Sequence, residues 1–266
     1  MSESSMTTVH TASTYVQTSK FSSVPVLDYS LISSPSTKPL FISQLQHALV
    51  NVGFLYLSNH TVPASTIDPL LDYIPKLFAL PQEEKEKIRM VHSAHFLGYS
   101  RLDAELTRGK VDHREQFDFG TKHETRWKEG KEEVVPEYWK MWGSPQVRLV
   151  CVSLHCPSTR AFCQFQWPDD SALPGFRAVL ERFLTQVQDL AYTFISLLAE
   201  SFSLPPDALD KFYDTDENMQ HRAKIVKYPA VALADPANDQ GVGPHYDAGF
   251  LTFVRALSAW IPQAVV

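Results

Sequence analysis

The sequence predicts an α+β protein, and three stretches carry that expectation. Residues 172–200 read as one long helix, because Phe176, Val179, Leu180, Phe183, Leu184, Val187, Leu190, Ala191, Phe194, Ile195 and Leu198 keep the i, i+3, i+4, i+7 spacing through several turns. Gly53-Phe54-Leu55-Tyr56-Leu57 is a short apolar run closed by Ser58-Asn59-His60, the pattern of a buried strand entering a turn. Phe117 and Phe119 alternate with polar neighbours, as a half-buried strand does.

The remaining elements follow in order. Residues 1–20 are rich in Ser and Thr, with no basic segment and no apolar stretch, so a disordered tail is expected and not a secretory signal. Val24-Pro25-Val26-Leu27-Asp28 is a short strand with Pro25 at its edge or start. Leu40, Ile42 or Leu45, and Leu49 recur at helical spacing and predict an amphipathic helix over 38–51. His60, in the turn after the next strand, reads as a hydrogen-bonded turn histidine and not as a ligand. A helix over 63–79 comes next, and Leu80-Pro81 opens another whose Gln82–Lys87 run reads as a solvated face with Glu83 and Lys87 paired. After the long helix, Pro205-Pro206 interrupts the chain, and Arg222 to Pro229 reads as a strand entering a proline turn. The expected division is a tail over 1–20, an N-terminal region over 21–125, and a scaffold helix with further strands over 126–266.

Bulk properties exclude several classes. The chain has 266 residues, enough for one or two domains, and 44% apolar content suits a globular protein. A net charge of −6, with no stripe gathering the 24 Lys and Arg, argues against nucleic acid as the main partner. No apolar run approaches the ~20 residues that span a bilayer, and a cytoplasmic location is expected. Cys151, Cys156 and Cys163 lie beside His155, but C-x4-C-x6-C matches none of the usual structural zinc spacings.

The stretch with chemistry in it is Gly243-Pro244-His245-Tyr246-Asp247-Ala248-Gly249-Phe250-Leu251-Thr252. On a strand, His245-x-Asp247 would put an imidazole and a carboxylate on one face, two of the three donors of a facial triad for non-haem Fe(II). Phe250 to Val254 then read as a buried β-run. The residues alone leave two readings open, a ligand pair or a turn histidine beside a capping aspartate. A rival pair, His113-x-Glu115, lies between Arg114 and Gln116 with no Gly or Pro opening and reads as an ion-paired surface strand.

Taken in order, these pieces resemble the isopenicillin N synthase-like branch of the Fe(II)/2-oxoglutarate-dependent dioxygenases, and its fungal members in particular. The matching stretches are Val24–Asp28, Gly53–His60, Phe78-Ala79-Leu80-Pro81, Arg114–Phe119, Trp167-Pro168, the long helix, Lys227-Tyr228-Pro229 and Gly243–Asp247. The resemblance implies a double-stranded β-helix (jelly roll) core behind a helical N-terminal region. It implies His245 and Asp247 as iron ligands, and Tyr228 lining the substrate and co-substrate side of the pocket. The implied chemistry uses Fe(II), 2-oxoglutarate and O2 to oxidise a C–H bond of a small metabolite, in secondary metabolism, with no nucleic acid or membrane partner.

The family pattern continues with a second histidine and an Arg-x-Ser, whereas here no histidine follows His245 and Arg255 is in no Arg-x-Ser. A jelly roll incomplete at its C-terminus is therefore expected, with weak iron binding and doubtful catalysis, and the alternative is an inactive family member acting as a small-molecule binder or partner subunit. Deleting residues 147–166 would join Pro145-Gln146 to Trp167-Pro168, the junction the family leads one to expect. This insert and the segment from Val254 to Val266 are read as translated introns.

Overall fold

In the computed structural model, the described residues are 22–93, 96–120, 167–213, 219, 221–230, 240–245, 247 and 249–257. The expected tail, the 147–166 insert with its three cysteines, and residues 258–266 lie outside them. The chain divides into two compact units, Met1–His60 with Leu197–Pro206, and Thr61–Ser196 with Asp207–Val266.

In the first unit, β1 (Val26–Asp28) and β2 (Tyr56–Ser58) pair in parallel, Leu27 opposite Leu57. Parallel neighbours need a long crossover, and α1 (Lys38–Asn51) supplies it, over the residues that the periodicity indicates. Its buried face is Phe41, Leu45 and Ala48, turned by one residue from the expected stripe, so Leu40 is exposed. The helix ends where Val52 N–H and Gly53 N–H both donate to Ala48 O, at 3.0 and 2.9 Å, with Gly53 at φ +82°. β2 is not the buried strand expected: among the described residues it has one partner strand, and Tyr56 within it and Phe54 before it are exposed. Asp28 Oδ1 accepts from Ser30 N, Ser30 Oγ and Asn59 Nδ2. Those bonds, Ser30's first and Asn59's next, hold the Asp28 carboxyl below the usual range. His60 does sit in the turn, and its buried Nδ1 meets no hydrogen-bond partner among the described residues.

The second unit begins with α2 (Ala64–Phe78) and α3 (Gln82–Lys87), followed by β3 (Gly98–Ser100) and the hairpin β4 (Glu105–Thr107) and β5 (Lys110–Asp112). Next come β6 (Glu115–Gly120), α4 (Phe176–Ser201, with Leu197–Ser201 counted in the first unit) and β7 (Arg222–Lys227). α4 starts later than the expected residue 172, because Pro174 disfavours helical backbone at Leu173 and Gly175 takes φ +76°.

The sheet order is β3-β6-β7, antiparallel throughout. Phe117 faces Tyr99 on one side and Ile225 on the other. Because side chains alternate, Tyr99, Phe117, Phe119 and Ile225 share one face, while Ser100, Gln116, Asp118 and Lys224 share the opposite one. The first face packs into the core with Leu77, Phe78, Trp167, Phe176 and Leu180. β6 is thus buried on both faces and not half-buried as its alternation suggests, since Gln116 and Asp118 are as enclosed as the aromatic pair.

Two charge readings change with this packing. The α3 run is not wholly solvated: Lys85 is 7% exposed, and its Nζ meets Glu115 Oε1 at 2.6 Å. Lys87 pairs with Glu84 at 2.6 Å, not with Glu83. No helix among the described residues is long and apolar enough to cross a membrane.

Candidate functional site

The strongest sequence motif lies in irregular backbone. Among the described residues, 243–254 form no strand, and Phe250 and Val254 are 66% and 80% exposed, so the expected buried β-run is absent. The two side chains nonetheless converge, His245 Nε2 lying 3.3 Å from Asp247 Oδ1. His245 Nδ1 is 2.7 Å from Gly243 O. A carbonyl oxygen only accepts, so Nδ1 carries a proton, and Nε2, when the ring is neutral, turns its lone pair toward the carboxylate. Thr252 Oγ1 donates to Asp247 Oδ2 at 3.3 Å and fixes the far side of that carboxylate.

Two electron-rich donors facing one another at this distance suit a shared cation. Ligands about 2.1 Å from one ion at right angles stand about 3.0 Å apart, close to the observed separation. The side chains are 35% and 48% exposed, which leaves the pair open on its solvent side. Among the described residues no group of three His, Cys, Asp or Glu gathers to hold a metal. With the ring protonated, the same contact is an ion pair.

The approach to His245 is tied to the β4–β5 hairpin. Gln240 Nε2 and Gly243 N–H donate to Asp112 Oδ1 at 2.9 and 3.3 Å, and His113 N–H donates to Gln240 O at 2.8 Å. Asp112 Oδ2 accepts from Thr107 Oγ1 at 2.7 Å and lies 3.1 Å from Arg114 Nη2. Burial pushes the Asp112 carboxyl up, but the bonds from Thr107, Gln240 and Gly243, with Arg114 nearby, outweigh it and leave it below the usual range.

Next to this knot, the polar face of the sheet is closed over charged groups. Arg114 Nη2 and Gln116 Nε2 both donate to Glu105, each at 2.7 Å, and Gln116 Nε2 also reaches Asp118 Oδ2 at 3.0 Å. Burial raises the Asp118 carboxyl above the usual range, against the opposing pull of Lys224 and Arg222. On the other face, Tyr99 OH donates to Glu115 Oε1 at 2.9 Å, and burial first, with Glu115 beside it, pushes the phenol up to about 12.

Of the remaining sequence candidates, Tyr228 is half-exposed, its ring lying against Gly241, where a Cβ would sit 3.0 Å from Tyr228 Cδ1. The rival His113-x-Glu115 pair separates: His113 Nδ1 meets Asp103 Oδ1 at 2.7 Å, and Glu115 goes to Lys85. Glu115 is ion-paired as expected, but buried and not on the surface. No sequence motif marks Asp112, Thr107 or Gln240 as part of this site. The signal that existed was weak, namely glycines at 241 and 243 in a stretch pressed against other groups.

Comparison with known proteins gives the family likeness. Residues 24–141 match the family model of the non-haem dioxygenase in morphine synthesis, N-terminal region. The 2-oxoglutarate-dependent dioxygenase frbJ of Dothideomycetidae sp. (strain 11243) is 40% identical over 239 residues, covering 90% of this chain and 57% of that protein. A 2-oxoglutarate-dependent dioxygenase of Gibberella zeae is 36% identical over 238 residues, covering 89% and 55%. The chain thus spans little more than half the length of these relatives. Among solved structures, JOX2 in complex with 2OG, Fe and JA superposes with a TM-score of 0.55 at 18% identity, covering 84% of this chain and 53% of that one. This last likeness concerns the fold, that of the 2-oxoglutarate oxygenases with their jelly-roll core.

Proposed function

Because this chain belongs to the 2-oxoglutarate-dependent dioxygenases, we propose that its His-x-Asp segment contributes two iron ligands, His245 and Asp247, to a site that oxidises a small metabolite with Fe(II), 2-oxoglutarate and O2. The observation that carries this reading is the convergence of His245 Nε2 and Asp247 Oδ1 at 3.3 Å with Nδ1 already committed to Gly243 O. The ring's free nitrogen is thereby the one that faces the carboxylate.

Bound there with 2-oxoglutarate, iron supplies the activation of O2 needed to oxidise a C–H bond. The chain's own part is positional. Gly243 O keeps the imidazole in the Nδ1–H form, Thr252 holds the carboxylate, and Tyr228 against Gly241 forms a wall on the substrate and co-substrate side. The fungal origin of the similar dioxygenases supports a metabolite of secondary metabolism as substrate.

An anaerobic titration of the purified chain with Fe(II) and 2-oxoglutarate tests the reading. The visible metal-to-ligand charge-transfer band is expected in the wild type and absent in His245→Ala and Asp247→Ala. Both variants should fold, losing less than about 1 kcal/mol, because the side chains are partly exposed. A wild type that shows no band contradicts the metal assignment, and one that still binds 2-oxoglutarate calorimetrically would be a binder without catalysis.

A further inference from the structure

We infer that Asp112 is a positioning residue that sets the ring form and aim of His245 through Gly243, an inference that rests on the proposed role of His245. Asp112 is fully buried, and its Oδ2 is satisfied inside its own hairpin and strand connection by Thr107 and Arg114. Its Oδ1 is spent differently. Both hydrogen-bond donors there, Gln240 Nε2 and Gly243 N–H, come from 128 and 131 residues further along the chain.

Gly243 is the hinge of the relay, since its N–H goes to Asp112 while its carbonyl takes the proton-bearing Nδ1 of His245. The fit is tight: a Cβ on Gly243 would stand 2.8 Å from Thr107 Cγ2 and 2.9 Å from the Gln240 amide. Pro244, between the two, has a fixed φ, which removes one rotation between the anchored peptide and the ring. A partner that fixes the tautomer of a ligating histidine through its other nitrogen tunes that ligand's affinity for metal.

The test compares the full chain with Asp112→Ala and Gly243→Ala, which break the same contact from opposite sides, only the first disturbing the Arg114 pair. The first readout is the imidazole ¹⁵N spectrum of His245 in metal-free, mildly alkaline buffer. The wild type is expected to show the Nδ1–H form, and both variants a mixture of tautomers. An unchanged ring in either variant, while its circular dichroism remains that of the wild type, overturns the inference, and if Asp112→Ala fails to fold, Gly243→Ala decides alone.

The second readout is Co(II) affinity, expected to fall about 10- to 100-fold in each variant. His245→Ala separates the two ideas. If it leaves Co(II) binding at the wild-type level, the metal-site reading fails while the ring spectrum still judges the Asp112 relay. If it abolishes binding but both relay variants bind as tightly as wild type, only the relay fails.

Discussion

Strand β6 and the segment from Gly243 to Val254 look alike in the sequence, each an aromatic-containing run beside charged residues, yet they end in opposite environments. Phe117 and Phe119 are fully buried, whereas Phe250 and Val254 are 66% and 80% exposed. The difference lies in partners. β6 has β3 on one edge and β7 on the other, with the aromatic core on one face and a hydrogen-bonded polar layer on the other. Among the described residues the second segment has no ladder, and rests on ring contacts from Phe253 to Phe194 and from Phe250 to Tyr213, with a few hydrogen bonds. An apolar run becomes a buried strand only where neighbours complete its backbone pairing and cover its side chains. The scaffold is therefore held by many cooperating contacts and the candidate ligand pair by few.

That contrast can be broken most forcefully at Phe117. Phe117→Ala is expected to cost ~3–5 kcal/mol in chemical denaturation, while Val254→Ser should stay within about 0.5 kcal/mol. Equal losses would mean that the two regions are packed alike. Lys85→Met leaves Glu115 buried with Tyr99 OH and a more distant Lys227, 3.7 Å away, so a loss of about 3 kcal/mol is expected by the same measurement. A neutral outcome would show that the pair is solvated.

The smallest effect concerns the polar face of β6 and has the opposite sign. Asp118 has a folded pKa raised above its unfolded value, so its ionisation costs stability as pH rises from the ordinary aspartate range through the folded pKa. Asp118→Asn keeps an acceptor for Gln116 and removes that cost. Thermal melting should show the variant more stable than wild type at neutral pH, with the gap closing as pH falls below the ordinary aspartate range. A variant less stable than wild type at neutral pH would mean that Lys224 and Arg222 repay the burial of the charge.

Much of the frame was legible because it depends on local spacing. α1 spans the expected residues, α2 and α4 agree to within a few positions, and β6 and β7 fall where strands are read, whereas β3 has no strand signal in the sequence. The misses are of another kind. Lys85 sits within a run of charges that reads as surface, and its burial depends on Glu115, thirty residues later. His60 reads as a bonded turn histidine because turns usually satisfy their polar groups, yet its Nδ1 meets no partner among the described residues. At the candidate site, the His-x-Asp pair was visible as a motif, but its supports at Asp112, Thr107 and Gln240 were not, since no spacing rule links residues so far apart.

The order of residues alone determined the helices, most of the strand candidates and the kinship carried by short motifs along the chain, since periodicity and motifs are properties of neighbours in sequence. Which faces are buried, which charges are enclosed and what holds His245 in its ring form were decided only in three dimensions. Those outcomes depend on groups brought together across long loops, where one carboxylate such as Asp112 can choose partners that the local sequence never indicates.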